Sequence, residues 1–308
     1  MKKKILIITF PLGGPRVWAE NLAKHLRGRG FDATVAFGRK EYFKQLFQRY
    51  DIVHSAVAVP NLLCKKYILT IHGNYREEKH LGRFLYPLII KRSDFVTTPS
   101  EFLKRVLGIK KALVIPNGID LPEKTKNDYR LTNAAPTIGI LTNFNFRKKA
   151  DGLICLAKIV RRISPEIKLI VGGGGEFFEE YKKIVLDIHP NTEFLGQCKK
   201  EDLFKQVDIF AYYSLLDNQP IAILEAMAFG LPVMSNNVGA VKEILTGKLE
   251  NYIAKTDEEY GNSLKKLLEL EEMRKENSQE AKKIAQDFSW DNPGRFVQLH
   301  LHNNNRRP

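Results

Sequence analysis

Short apolar runs rich in Ile, Val and Leu alternate with amphipathic stretches along nearly the whole chain. In the first third the runs are KILIIT, ATVAF, DIVHS, YILTIH, DFVTT and ALVIP. Runs of this length and β-branched content predict buried strands. Between them, apolar side chains recur at spacings of three and four: Trp18, Leu22 and Leu26, then positions within 41–47, 81–90 and 101–107. That spacing puts an apolar stripe on each helix, suited to covering a sheet. Strands joined by helical crossovers pair in parallel, so a parallel α/β layer is expected.

Past Ile115 the pattern lapses. Asn117-Gly118 is a turn signal, and the stretch 122–136 is polar with little to bury. The alternation then restarts with TIGILT, a helix over 149–163, KLIVGG, a helix after Gly175, TEFLG, DIFAYY, a helix over 220–229 and PVMS. Residues 257–288 read as a charged helical stretch, after which Ser289-Trp290 opens a last helix. The fold class is therefore α/β, with two Rossmann-like doubly wound domains. The expected division is 1–122 for the first domain, 123–136 for a linker, 137–289 for the second and 290–308 for a C-terminal helix. Ligand crevices in such domains lie outside the carboxyl ends of the strands, and two domains facing each other would place chemistry in the cleft between them.

Composition narrows the class. A length of 308 residues fits two domains, and 44% hydrophobic with 27% charged residues are globular values that exclude disorder, collagen and coiled coil. No apolar run approaches the roughly 18–20 residues of a membrane span. The start, Met-Lys-Lys-Lys and an apolar run cut short by Pro11, Gly13 and Gly14, reads as a first strand and not as a secretory leader. Cys64, Cys155 and Cys198 are far apart with no metal or disulfide spacing, which points to a cytoplasmic setting. Charge is uneven: residues 1–125 hold 23 Lys and Arg against 10 Asp and Glu, whereas 126–308 hold 26 against 25. A net +13 on one half and +1 on the other suggests an anionic partner for the first half, with simple solubility as the alternative.

The segment 217–240, DNQPIAILEAMAFGLPVMSNNVGA, carries the most chemistry. Glu225 is the only charged residue between Asp217 and Lys242. A helix opening at Pro220 would bury Ile223, Leu224 and Met227, and an unpaired carboxylate among them is costly. Glu225 therefore needs donors, which could be backbone amides, a basic side chain or ligand hydroxyls. Asp217 and Glu225 are too far apart in sequence to share one metal ion easily. They suit two polyhydroxylated parts of one extended ligand, with the free N–H groups of the helix start between them facing an anion such as diphosphate.

This run resembles the signature of the retaining GT-B glycosyltransferases of family 4. There, two acids separated by seven residues precede Ala-Met-Ala-x-Gly-x-Pro-Val, and a Gly-Gly or Gly-Ala followed by Glu comes after. Here the matching positions are Asp217, then Glu225-Ala226-Met227-Ala228-Phe229-Gly230-Leu231-Pro232-Val233, then Gly239-Ala240 and Glu243. The first acid departs from the pattern, aspartate standing where glutamate is usual. The resemblance implies that Glu225 binds the donor ribose and Asp217 the donor sugar, with Asn218, Gln219, Pro220, Ile221 and Ala222 lining the donor between them. Gly13 and Gly14, after the first strand, resemble the glycine loop that approaches the donor phosphates. His72-Gly73 resembles the His motif beside the reacting sugar. Ile115-Pro116-Asn117-Gly118-Ile119-Asp120 is similar to the interdomain motif, and Phe288-Ser289-Trp290 to the start of the helix that returns to the first domain.

The family also uses an Arg and a Lys to neutralise the leaving diphosphate. Lys148 occupies the Lys position, whereas the Arg position falls on Asn143 or Thr142, so Arg147 is expected to supply that charge and Lys149 to be a solvated bystander. The Gly172–Gly175 run resembles the family's Gly-x-Gly turn. It fails the dinucleotide fingerprint because Phe177 stands where glycine is needed, so it does not indicate NAD.

What the resemblance implies is retaining transfer of a hexose from a nucleoside-diphosphate sugar to an acceptor hydroxyl, with no metal and no other cofactor, in glycolipid, polysaccharide or cell-surface glycan synthesis. Its partners would be the donor and a glycan or lipid-linked acceptor. The basic first half adds an anionic membrane surface, through Lys65, Lys66, Arg76, Lys79, Arg83, Lys91, Arg92, Lys104 and Arg105 interleaved with Phe84, Leu85, Tyr86 and Phe102. That places the protein in the cytoplasm, peripheral at the inner membrane face. No nucleic-acid-binding signature is present, so nucleic acid is not expected. The rival readings are a sugar-nucleotide-binding partner of an active transferase, and a GT-B epimerase or phosphorylase.

Overall fold

The structure, a computed structural model, describes residues 2–10, 14–45, 48–59, 64–77, 84–123 and 136–292. The chain divides into two compact units, Met1–Gly118 with Trp290–Pro308, and Ile119–Ser289.

The first unit runs β1 (Lys4–Thr9), α1 (Gly14–Gly28), β2 (Asp32–Phe37), α2 (Gly38–Lys44), β3 (Tyr50–Ser55), β4 (Cys64–Thr70), α3 (Tyr86–Arg92), β5 (Phe95–Thr98), α4 (Glu101–Leu107) and β6 (Leu113–Val114). Its described strands pair in parallel in the order β2-β1-β3-β4-β5-β6. A parallel sheet is covered on both faces, so its central strand has no polar alternation: Ile5, Leu6, Ile7 and Ile8 are all fully buried. Ser100 caps α4 by accepting from the Leu103 N–H at 3.1 Å.

The second unit runs β7 (Ile138–Leu141), α5 (Arg147–Ile163), β8 (Leu169–Gly172), α6 (Phe178–Ile188), β9 (Thr192–Gly196), α7 (Lys200–Phe204), β10 (Ile209–Tyr212), α8 (Ile221–Phe229), β11 (Val233–Asn236), α9 (Val241–Ile244), β12 (Ile253–Ala254), α10 (Asp257–Glu269) and α11 (Glu271–Asp287). Its sheet is likewise parallel, ordered β12-β11-β10-β7-β8-β9. Helix α5 buries Ala150, Leu153, Leu156, Ala157 and Val160, the expected stripe at spacings of three and four. Helix α8 differs, because Ile223, Leu224 and Ala226 through Phe229 are all buried and only the strip of Ile221, Ala222 and Glu225 is half-buried. Ala281, Ile284, Ala285 and Phe288, from α11 and its end, close that core over it.

Both units are thus the Rossmann-like, parallel doubly wound layers that the alternation predicted. The stretch 257–288 is two helices where one was expected. The chain turns at Leu270, and Arg274 donates to the carbonyls of Leu267 and Leu268 at 2.6 and 2.8 Å, satisfying the open end of α10. The short α7, α9 and β12 carry too few residues to show a period. The expected linker lies mostly outside the described residues, and so does the expected C-terminal helix from 293 on. Trp290 is described. Its ring stacks on His25 at 5.7 Å between centroids, its carbonyl accepts from Arg29, and a side chain on Gly118 would overlap the indole. No helix among the described residues is long and apolar enough to cross a membrane.

Candidate functional site

Strand order locates the site. From β7 the second unit builds outward through β8 and β9, then returns to the other side of β7 for β10. The connections leaving β7 and β10 therefore diverge, which opens a crevice at the carboxyl ends of these strands. The loops there are 142–146 and 213–220. On or next to them lie Asn143, Lys148, Asp217, Asn218, Gln219 and Pro220, with Ile221 and Ala222 opening α8, while Arg147 at the start of α5 turns to α6. The Leu215 N–H donates to the Lys148 carbonyl at 3.1 Å, tying one loop to the start of α5. Gly152 makes this approach feasible, since a Cβ there would sit 2.5 Å from the Tyr213 carbonyl oxygen.

Asp217 is the anchor of the crevice. Its side chain is 9% exposed and its Oδ2 accepts from Lys149 Nζ and from the Tyr212 hydroxyl, each at 2.6 Å. Oδ1 accepts from the Asn218 N–H at 2.8 Å. Burial and the facing Asp217 charge push the Tyr212 phenol well above its ordinary pKa, so it remains a donor. Gly239 has φ +55, and a Cβ on it would overlap the Asp217 carbonyl oxygen. The Ala240 N–H donates to the Asn218 carbonyl at 3.1 Å, closing the loop against the turn after β11.

Two expectations about cations change. Arg147 does not stand free: it makes a bidentate pair with Glu180 at 2.7 and 3.1 Å and lies over the Phe177 ring at 4.0 Å. Lys149, expected as a solvated bystander, is partly buried and bonded to Asp217. The cause is helical geometry. Successive positions at the start of α5 point about 100° apart, so 147 faces α6 while 149 faces the loop after β10. Lys148 is exposed, and its ammonium has no ion pair or hydrogen bond with the described residues. Asn143 turns inward on its own loop, its side-chain oxygen accepting from the backbone and side chain of Asn145 at 2.9 and 3.0 Å.

Helix α8 begins at the crevice with no side-chain cap at Pro220. The Ile223 N–H bonds the Pro220 carbonyl at 3.1 Å. The N–H groups of Ile221 and Ala222 precede the first helical bond and, on half-buried residues, carry the positive end of the helix. One turn on, Glu225 has a basic side chain as its donor: Lys200 Nζ, from the start of α7, is 2.7 Å from Oε1. The Glu225 side chain is 16% exposed. Burial raises its pKa, and Lys200 opposes that rise. Oε2 has no protein partner among the described residues.

In the first unit Gly14 opens α1, and Gly13 lies outside the described residues. His72 follows the carboxyl end of β4, edge-on to Trp18 at 4.7 Å. Burial pushes its pKa down to about 4, so the imidazole is neutral near pH 7. The expected basic face is only partly assembled. Lys79, Arg83 and the Lys65 side chain lie outside the described residues. Lys66 lies within strand β4, and Arg76 donates to the Leu107 carbonyl at 2.8 Å. Tyr86 is buried and Phe102 packs on the core, because the inward stripes of α3 and α4 claim them. What remains outside at α3 is Phe84 at 65% exposure, Leu85 and Leu88, then Lys91 and Arg92.

Sequence reasoning missed Lys200, Tyr212 and Glu180. Lys200 sits in a charged KKED stretch and Tyr212 at the end of an apolar strand, so neither carries a local signal; only the fold brings them to the site.

Comparison with known proteins gives the class. The model of Glycosyl transferases group 1 matches residues 123–284, and that of Glycosyltransferase Family 4 matches 36–123. The first spans more than half of the chain, which therefore belongs to the glycosyl transferases group 1 family. N-acetyl-alpha-D-glucosaminyl L-malate synthase of Bacillus anthracis is 25% identical over 266 residues, 76% of this chain and 70% of that protein. A phosphatidylinositol N-acetylglucosaminyltransferase component of Homo sapiens is 27% identical over 166 residues, 51% of this chain but only a third (33%) of that protein. Among solved structures, sucrose-phosphate synthase from Thermosynechococcus elongatus superposes with a TM-score of 0.79 at 14% identity over 97% of both chains. Anabaena HepE in complex with UDP and glucose gives 0.72 at 16% identity over 93% and 95%. Likeness at these identities shows the fold, GT-B.

Proposed function

We propose that this chain transfers a hexose, with retention and without a metal, from a nucleoside-diphosphate sugar to an acceptor hydroxyl. The observation that carries the reading is the crevice at the β7/β10 switch point, where an uncapped helix start lies between two acids and the loop before it is tied to Lys148, whose ammonium has no partner among the described residues. The diphosphate would meet the N–H groups of Ile221 and Ala222 and the Lys148 ammonium; a ribose hydroxyl would donate to Glu225 Oε2. As the bond from the anomeric carbon to the phosphate oxygen breaks, charge grows on the departing diphosphate, and fixed donors stabilise that state more than the ground state. The acceptor oxygen bonds the anomeric carbon on the same face, and its proton passes to the leaving phosphate. His72, neutral, would donate or accept a hydrogen bond at the sugar.

The acceptor side is read from charge and kinship. The matched relatives include proteins whose names carry a phosphatidylinositol or a diacylglycerol. With a net +13 on residues 1–125, this favours a lipid-linked or anionic glycan acceptor, and an anionic bilayer against the exposed Phe84, Leu88, Lys91 and Arg92. The three protein donors on Asp217 favour one second reading, nucleotide-sugar binding without transfer.

The test is a thermal-shift screen of UDP-, GDP- and ADP-sugars, followed by assay of free nucleoside diphosphate with and without lipid and glycan acceptors. Acceptor-dependent release is expected. Tight binding without release across acceptors would establish the second reading, and unchanged nucleotide affinity in Glu225→Ala would remove its ribose role.

A further inference from the structure

Glu225 is placed where its own charge is hard to keep. It lies on the half-buried strip of an otherwise buried helix, and the groups facing it besides Lys200 are acids: Glu201 on α7 and Asp120, which follows the Ile119 bridge to Ser289. Lys282 of α11 lies against Gly230, past the other end of α8. Burial, Glu201 and Asp120 all favour the protonated acid, and Lys200 alone opposes them. A protonated carboxyl would lose the charge that makes it a strong acceptor for a hydroxyl. The Lys200 bond also fixes the carboxylate, because Oε1 is held at 2.7 Å while Oε2 stays open.

We infer that Lys200 is a positioning residue for nucleotide recognition: it keeps Glu225 ionised and in one rotamer, leaving Oε2 to accept from a ribose hydroxyl. The inference rests on the nucleoside-diphosphate reading above and adds a residue that makes no contact with the reacting atoms. It also has a sign in pH. Nucleotide affinity is constant where Glu225 is ionised and falls as pH drops through its pKa; losing Lys200 moves that fall to higher pH.

The experiment measures UDP and GDP binding by calorimetry between about pH 5 and pH 8 for the full chain, Lys200→Met and Lys200→Arg. In parallel, the carbon-13 carboxylate resonance of Glu225, assigned by its loss in Glu225→Gln, is titrated without nucleotide. In Lys200→Met the acid limb of binding is expected to move to higher pH, with affinity on that limb weaker by about tenfold or more and the plateau above it within about twofold. Lys200→Arg, which keeps the charge and guards against a folding defect, is expected to restore both profiles. An equal loss at every pH, or a Glu225 titration that does not move in Lys200→Met, would overturn the inference. If the wild-type chain binds neither UDP, GDP nor ADP, the proposed function falls, and the carboxylate titration still decides whether Lys200 governs Glu225.

Discussion

The Lys149 ammonium lies 2.6 Å from Asp217 Oδ2, the oxygen that also accepts from the Tyr212 hydroxyl. Three elements thereby meet on one carboxylate: the start of α5, the end of β10 and the loop before α8. The arrangement makes Asp217 a strut of the crevice whatever ligand enters it, and its strength is measurable.

Tyr212→Phe removes one bond to a largely buried charge and leaves the ring in place. The expected cost is about 2 kcal/mol in urea denaturation. A cost below about 0.5 kcal/mol would show that the hydroxyl does not hold Asp217.

Lys148 and Arg147 are adjacent in sequence but different in commitment. Lys148→Ala is expected to lower kcat on the order of 10²-fold, with a smaller change in donor KM, as removal of a transition-state donor does. Arg147→Ala, which breaks an exposed pair with Glu180, is expected to change both by less than about threefold. Steady-state kinetics with the identified donor separates them, and the reverse ranking would return the diphosphate role to Arg147.

An alanine in a helix interior ordinarily stabilises relative to glycine by about 1 kcal/mol. At Gly152 the sign reverses, because the added Cβ meets backbone at 2.5 Å from the Tyr213 oxygen and 2.6 Å from Ser214 Cα. Gly152→Ala is expected to destabilise by about 1–3 kcal/mol and to weaken nucleotide binding by displacing the loop that carries Asp217. A more stable variant in thermal denaturation would contradict the packing of α5 on that loop.

His72 has a folded pKa of about 4 against an ordinary 6.5. Between these values the unfolded chain binds a proton that the folded chain does not, so stability declines as pH falls from 6.5 toward 4. His72→Gln is expected to flatten that decline, read from urea midpoints at about pH 7 and pH 5. An identical slope in both proteins would mean the ring is charged in the fold.

For the basic lip of the first unit, vesicle co-sedimentation is the measurement. Binding to phosphatidylglycerol-containing vesicles is expected to fall by at least about fivefold for each of Lys91→Glu and Arg92→Glu, since losing the cation alone costs about 1 kcal/mol, and to fall in Phe84→Ser. Lys183→Glu, on an exposed position of α6 in the second unit, serves as the charge control. Equal binding to neutral vesicles would rule out an electrostatic contact.

Much of the fold was legible because its cause is local. KILIIT and DIFAYY are too apolar for anything but buried strands, and the stripe from Ala150 to Val160 allows one helix face. The two-helix ending was less so, because Leu270 carries no proline or glycine and the break relies on Arg274 reaching back. At the site, Asp217, Glu225 and the α8 start stood out by charge isolation and motif. Their partners did not: Lys149 was expected as a solvated bystander, and nothing local marks Lys200 within its charged KKED stretch.

The order of residues alone determined two parallel layers, an apolar helix with one acid in it, and a half-chain of strong positive charge, since these follow from periodicity and composition along a short stretch. Only tertiary structure decided which cation answers which carboxylate. Ion pairing depends on side chains meeting within about 4 Å, and the pairs 149 with 217, 147 with 180 and 200 with 225 are brought to that range by the sheet order and by helix rotation, which no local pattern records.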